Sequence, residues 1–590
     1  MNPPVASSGR RLKLVVVLAV LSVYCFPYLA TSATLKSTQV PYSFAADLSL
    51  YLNLSKMGLS NVNPYFGTVS PSSEFGYVTF NTALRVLGLT TKIAGNDLWW
   101  AVLTWNVVWW AAIALGAVWF LRVAYPDAPV WIVGLATSLL FFFNFGVIRS
   151  LLQAWMHLPS VAQFGSLALP YIRTVFPQVP VALLFPYLTF QVRALEHWKW
   201  QDWVMMCFLQ TAAFAMFPYA TLMMAGITAV AVVANLNVHR FPRQFGIVAC
   251  YGAICAAFDI AWLLLHLPGN HSQAQGALIG LHPSVLTGVA GGALFMLVFL
   301  TIACALAPPV KSRATKWTIV GLGIANTLLM LGDAVFSPAL LVSQHGAYFL
   351  HTTVCLEIVY LVVLAFERFA PATRWLRTAS SVLILFATAN GVLLAYNDYR
   401  HFLPENGKVN GLASALRPLH VMRDDLVLAR AESVDDPCSW VPLFTPAKVL
   451  FCRSAQYELS REEKRTIYRE RQAFYLYFTG KSSKEVEQAV SESNGLEELG
   501  RLVFAGDIYT KDKKLWDQVK ASIRTDLIPP LVQVEQGSEQ MHKFFSPYKQ
   551  VLIVDEAKSP VFVRPRLSNY FFVESERQIG DFVVISCRPF

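Results

Sequence analysis

Ionisable side chains are scarce over the first 396 residues, so each is a candidate for chemistry. Ten acids and twenty basic residues lie there, out of 37 and 47 in the whole chain. Asp259 and Glu357 fall within or near apolar runs, where an ionisable group is costly and marks a functional position by default. The structural alternatives are a pair with His266 or a water-filled cavity for Asp259, and a hydrogen bond to His351 or a neighbouring helix for Glu357. Asp97 precedes an apolar run and reads as a helix cap. Asp127, Glu196, Asp202 and Glu367 stand beside positive residues and read as solvated, as does Asp333 just past a run. Asp47 differs, because it opens a pattern that runs through Tyr51 and Gly58 to Asn63-Pro64-Tyr65-Phe66-Gly67. A carboxylate in a partly dry site gains basicity and can take a proton from a hydroxyl. Further along, Arg149, Arg173 and Gln178 offer the complementary chemistry, since a guanidinium pairs bidentately with phosphate oxygens and keeps its charge near lipid. Each has a plainer reading too: a cap or loop charge for Asp47, a snorkelling anchor for Arg173, a loop hydrogen-bond partner for His157. Glu74 is either solvated or placed to bind acceptor hydroxyls.

The elements that must position these groups follow from composition. The chain has 590 residues, 55% hydrophobic and only 14% charged, with a mean hydropathy of +0.45. Soluble domains carry about 25% charged residues, so a purely soluble protein is excluded. Apolar runs near 13–32, 99–121, 129–148, 179–194, 203–217, 219–236, 246–266, 286–306, 317–332, 348–366 and 379–396 predict about eleven spans. With a cytoplasmic N-terminus, fourteen basic residues fall on the cytoplasmic side, from Arg10 to Arg377. Six, Lys36, Lys56, Arg85, Lys92, Arg149 and Arg173, fall on the other in far longer loops. This is the positive-inside asymmetry, and it places the C-terminal part outside the cytoplasm. The first run also resembles a signal peptide ending at Ala30-Thr31-Ser32-Ala33, but it is long for an h-region and reads as a retained span. The excess of ten positive charges sits wholly in this membrane half, so the basic pI argues for topology and not for nucleic acid.

The expected fold is therefore a polytopic α-helical membrane protein: a transmembrane domain over 1–397, then an extracytoplasmic α+β domain over 398–590. Helices are expected over 409–433 and 459–478, the second opened by a Ser460/Glu463 capping box and ended by Gly480. Strands are expected at Val551–Asp555, Val561–Val563, Tyr570–Val573 and Phe582–Ser586. Cys438 and Cys452 are a plausible bridge with Cys587 left over, although spacing alone does not fix the pairing. No CxxC, HExxH or GxxxxGK[ST] motif occurs, so zinc sites and P-loop ATPases have no motif support.

A carboxylate shortly beyond the first span, then Tyr51, a small-residue turn and Asn63-Pro64-Tyr65, resembles the first external loop of GT-C-type glycosyltransferases, multi-spanning enzymes that use polyprenyl-phosphate-linked sugars. Three further stretches are similar to a bacterial branch of that group: Arg173-Thr174-Val175-Phe176-Pro177-Gln178, Phe217-Pro218-Tyr219, and Trp440 to Pro446 leading to Glu470 to Gly480. The likeness runs in order from about residue 10 to 590. It implies sugar transfer from a polyprenyl-phosphate donor to an extracytoplasmic glycan or lipid acceptor in the inner membrane. Asp47 would be the base and Arg173 the phosphate clamp, helped by Gln178 and Arg149. Tyr51, Tyr65, Glu74 and His157 would contact donor or acceptor. No cofactor or metal ligand is assigned. Many relatives carry further acids in a second external loop, often for a divalent metal, which leaves that metal open; 149–178 here has none. Two other classes compete: a transporter or flippase of a lipid-linked or small substrate, coupled through Asp259 and Glu357, and a scaffold that displays the C-terminal domain. The charge asymmetry predicts that a reporter fused after Arg400 is extracytoplasmic and one fused between Lys311 and Arg313 cytoplasmic. Both reporting the same side would refute the span count.

Overall fold

The computed structural model describes residues 5–37, 47–60, 64–66, 81–144, 169–175, 177–237, 240–266, 289–310, 312–332, 342–368, 373–431, 436–452, 455, 464–492, 517 and 520–590. The chain is mostly helical up to residue 416. In order the helices are α1 (Val5–Leu35), α2 (Asp47–Ser60), α3 (Asn81–Ile93), α4 (Leu98–Ala124), α5 (Val130–Phe142), α6 (Gln178–His197), α7 (Trp200–Met216), α8 (Pro218–Asn235), α9 (Phe241–His266), α10 (Val289–Leu306), α11 (Arg313–Met330), α12 (Val342–Arg368) and α13 (Thr373–Leu416). Each of the eleven apolar runs holds a helix, although the run at 129–148 is helical over Val130–Phe142 and residues 145–148 and 286–288 lie outside the described ones. Six helices among the described residues are long and apolar enough to cross a membrane: those within Arg11–Leu35, Leu98–Ala124, Pro218–Asn235, Phe241–Leu264, Gly346–Arg368 and Arg374–Leu419. By contrast α5 has 13 residues, roughly 20 Å of helix against a hydrocarbon core of about 30 Å.

Local sequence sets the helix ends. Asp97 caps α4, its Oδ1 accepting from the Trp100 amide at 3.1 Å, as expected of that residue. Ser312 caps α11 through the Thr315 amide. Pro218, which has no amide hydrogen, opens α8 directly after α7. Between α8 and α11 the backbones approach closely: a Cβ on Gly226 would lie 2.9 Å from the Ala325 Cβ, and one on Gly321 2.9 Å from the Ile227 carbonyl oxygen. Small residues allow such contacts between apolar helices. Asp202 departs from the solvated reading: it is buried and pairs with Arg193 at 3.0 Å. The expected boundary at 397/398 falls inside α13, which runs 44 residues without a break and accommodates Pro404.

Beyond α13 lies a five-stranded sheet of order β2-β1-β3-β5-β4, built from β1 (Asp425–Ala429), β2 (Lys448–Val449), β3 (Gln550–Glu556), β4 (Phe571–Ile579) and β5 (Phe582–Pro589). Strand β1 runs parallel to β2 and β3, while β3–β5 and β5–β4 are antiparallel. The helix expected over 409–433 ends at Leu416, and 425–429 is a strand instead. Its five residues are all buried, and such a short apolar run has no period to separate strand from helix. The expected strand at 561–563 is also absent, because the Asp555 carboxylate accepts from the Val561 and Phe562 amides and turns the chain there. The other three strands stand where expected. Helix α14 (Pro437–Phe444) precedes β2, and α15 (Arg469–Phe478) and α16 (Ser483–Ser491) follow it. Gly480, with φ +90°, follows the end of α15 as expected. The Ser460/Glu463 box lies outside the described residues; the capping box present is Ser482/Glu485, at the start of α16.

The first loop docks on this region. Ser49 and Asn53 of α2 donate to the Ser439 hydroxyl and carbonyl, and Lys56 donates to the Pro442 carbonyl at 2.7 Å. The Tyr65 carbonyl accepts from the Val449 amide at 2.8 Å. Arg471 secures the joint: it donates to the Val449 and Leu450 carbonyls and the Tyr548 hydroxyl, with its guanidinium 4.5 Å from the Phe66 ring centroid. Burial pushes this guanidinium below its ordinary pKa. Cys438 and Cys452 are both buried with sulfurs 2.9 Å apart, and Cys587 is buried in β5. If this region meets an oxidising compartment, alkylation after denaturation without reductant should label Cys587 and spare Cys438 and Cys452. Full labelling of all three would remove the pair.

Candidate functional site

Residues 169–175 and Pro177, just before α6, are non-helical, and backbone of that kind is stable in an apolar bundle only where protein groups satisfy it. Four helices do so. From α13, Asp398 accepts from the Leu169 amide at 3.3 Å. From α4, Trp110 donates to the Tyr171 carbonyl at 2.8 Å. The Tyr171 hydroxyl meets Thr352 of α12 at 2.9 Å. At the centre stands Asn106 of α4, fully buried: its amide nitrogen donates to Tyr28 of α1 at 2.6 Å and to Thr174 at 3.3 Å, while its oxygen accepts from Gln178 at 2.7 Å. Asn106 lies eight residues into α4, roughly 12 Å below the helix start.

Arg173 and Gln178 are brought onto this one segment. Arg173 is half-buried; its Nη1 donates to the Tyr348 hydroxyl of α12 at 3.2 Å, and its guanidinium carbon lies 5.8 Å from that ring's centroid. Gln178 opens α6, is fully buried, and also donates to the Tyr171 carbonyl at 3.1 Å. Its Oε1 accepts nothing among the described residues. Between them Val175 holds φ at +72° with a buried side chain. A β-branched residue there is a genuine outlier, costing about 1–3 kcal/mol unless its surroundings enforce it. The segment is thus a strained carrier for one cation, braced at Leu169, Tyr171 and Thr174.

The other candidates lie elsewhere. Asp47 is the first residue of α2, and its side chain lies outside the described residues, as do Glu74, Arg149 and His157. Tyr51 is half-buried against Leu54 and Leu84. Tyr65 is fully buried and its hydroxyl accepts from Asn53 at 3.0 Å, so the described contacts of both tyrosines are packing and docking contacts. Glu357 accepts from Thr301 of α10 at 2.7 Å and leaves Oε2 unpartnered among the described residues; His351 instead meets the Leu140 carbonyl. Asp259 likewise keeps Oδ1 without a partner among the described residues. No group of three or more metal-ligating side chains occurs among them. Sequence reasoning missed Asn106, Val175, Tyr348 and Asp398. Asp398 had a signal, a carboxylate just past the last apolar run; neutral Asn106 and the Val175 backbone had none.

Since Asn106 and Gln178 share one network, their replacements should not add. Each of Asn106→Leu and Gln178→Leu should destabilise the purified protein by about 1–3 kcal/mol through orphaned partners. The double variant should lose at least about 0.5 kcal/mol less than the sum, read from unfolding midpoints in detergent. Additive losses would disprove the shared network.

No protein-family model matches the sequence, and no curated protein matches it significantly.

Proposed function

We propose that this chain is an integral membrane glycosyltransferase that moves a sugar from a polyprenyl-phosphate donor to an extracytoplasmic glycan or lipid acceptor. The observation that carries the reading is Arg173, a cation held by Tyr348 on the segment before α6 inside an apolar bundle. Eleven spans with the N-terminus in the cytoplasm agree with the charge asymmetry, and under that topology the sheet and the first loop share the extracytoplasmic side. Asp47 then takes the proton from the acceptor hydroxyl as that oxygen bonds to the anomeric carbon. The bond from that carbon to the phosphate oxygen breaks, and Arg173 pairs with the departing polyprenyl phosphate. A single displacement of this kind inverts the anomeric centre. Arg149 assists the phosphate, and Gln178, whose amide hydrogens are spent on Asn106 and Tyr171, holds the segment that carries Arg173, while Glu74, His157, Tyr51 and Tyr65 belong to the surrounding donor and acceptor contacts.

A transporter or flippase is the second reading, and the unpartnered oxygens of Asp259 and Glu357 favour it. One experiment separates the two. Asp47→Asn, Arg173→Lys, Arg173→Ala, Asp259→Asn and Glu357→Gln are expressed at matched levels, and sugar transfer from polyprenyl-phosphate donors is measured in membranes. Asp47→Asn should lower transfer by about 10²–10⁴-fold with donor binding retained, the scale of general base catalysis. Arg173→Lys keeps the charge but loses the planar fork, so it should weaken donor use less than Arg173→Ala does. Wild-type transfer by Asp47→Asn would refute the base assignment. Loss confined to correctly folded Asp259→Asn and Glu357→Gln would favour the transporter.

A further inference from the structure

A second site lies away from the braced segment, where the turn before α4, the end of α13 with the 3₁₀ turn Arg417–Leu419, and the end of α14 enclose a cavity of about 380 Å³. That falls within the usual range for small-molecule sites. Its floor is apolar, with buried Leu416 and Val421, and the half-buried Phe444 adds an aromatic surface. Its rim is polar. Asn96 and His420 reach it from left-handed backbone, at φ +65° and +47°. Arg417 opens the 3₁₀ turn that His420 ends, and both line the cavity. Asp97 spends one oxygen capping α4.

Among the described residues, the exposed side chains of Asn96, Arg417 and His420 make no hydrogen bond or ion pair, and neither does the second Asp97 oxygen, so a ligand meets them in place of water. Asp97 and Arg417 line one cavity yet form no salt bridge. A ligand that bridges them must accept from a guanidinium and donate to a carboxylate, which is the character of a hydroxyl. Phosphate accepts but does not usefully donate, and the Asp97 carboxylate opposes it. We infer that this cavity binds an uncharged segment of a glycan, its hydroxyls spanning Asp97, Arg417 and Asn96 and a C–H face of one sugar ring lying on Phe444. This inference rests on the glycosyltransferase reading and names the acceptor side of it.

The test uses the full chain in phosphatidylcholine nanodiscs and saturation-transfer NMR, with empty discs as background. The probes are neutral trisaccharides of glucose, galactose, mannose, N-acetylglucosamine, arabinose and xylose, together with inorganic phosphate. At least one trisaccharide should bind, lose contact in Phe444→Ala, and bind about tenfold more weakly in Asp97→Asn, the loss of one charge-assisted hydrogen bond. Asn is as good a helix cap as Asp, so the second variant keeps α4 intact. Absence of trisaccharide binding, equal binding in both variants, or binding of phosphate alone would overturn the glycan assignment. Trisaccharide binding that survives in Arg173→Ala while even the wild type fails to transfer sugar would leave this site standing and defeat the glycosyltransferase reading. Wild-type transfer by a Phe444→Ala chain that no longer binds sugar would defeat the acceptor role.

Discussion

A non-helical backbone inside an apolar bundle needs hydrogen-bond partners from protein, and helices supply them at residues 169–175. Polar side chains that share no sequence motif converge there: Asp398 of α13 on the Leu169 amide, Thr352 of α12 and Asn106 of α4 on the Tyr171 and Thr174 hydroxyls, and Tyr28 of α1 on Asn106. Water elsewhere would satisfy such a loop cheaply. Here each missing partner would leave a buried donor or acceptor unpaired, a loss comparable with a sizeable share of a protein's net stability. The bracing also supports the unfavourable Val175 backbone, so that Arg173 and Gln178 are fixed by the bundle and not by their own loop.

The helical elements were legible because apolar length is a one-dimensional signal. Each of the eleven runs holds a helix among the described residues, and the Asp97 cap and the Gly480 stop stand where expected. Strand β1 was not legible, since Leu426, Val427 and Leu428 are buried on both faces and show no alternation. Of the site, Arg173 and Gln178 could be picked out as polar groups before an apolar run. Their environment could not, because Asn106 is neutral and sits in a run rich in tryptophan and valine, and its value comes from three partners distant in sequence. Nor could the sequence show that Tyr65, a motif tyrosine, is fully buried with its hydroxyl on Asn53.

The joint between first loop and sheet shows a second use of a buried cation. Arg471 faces no carboxylate across a salt bridge among the described residues; carbonyl oxygens and the faces of Phe66 and Phe544 stabilise it. Guanidinium suits this role because it is weakly hydrated and planar, so stacking and multiple in-plane hydrogen bonds coexist. The first loop is thereby tied to the same strand, β2, that closes one edge of the sheet.

Helix α13 carries a consequence of its own. Its 44 residues make a continuous rod of roughly 66 Å, with Asp398 bonded to the braced segment partway along and the sheet region at its end. Because an α-helix turns about 100° per residue, one inserted residue between Asp398 and Leu416 would rotate everything beyond it by that angle while the braced segment stayed in place. The length of this stretch is therefore fixed by phase as well as by reach. Changes in whole turns, of about seven residues for two turns, preserve the facing of the two ends where single-residue changes do not.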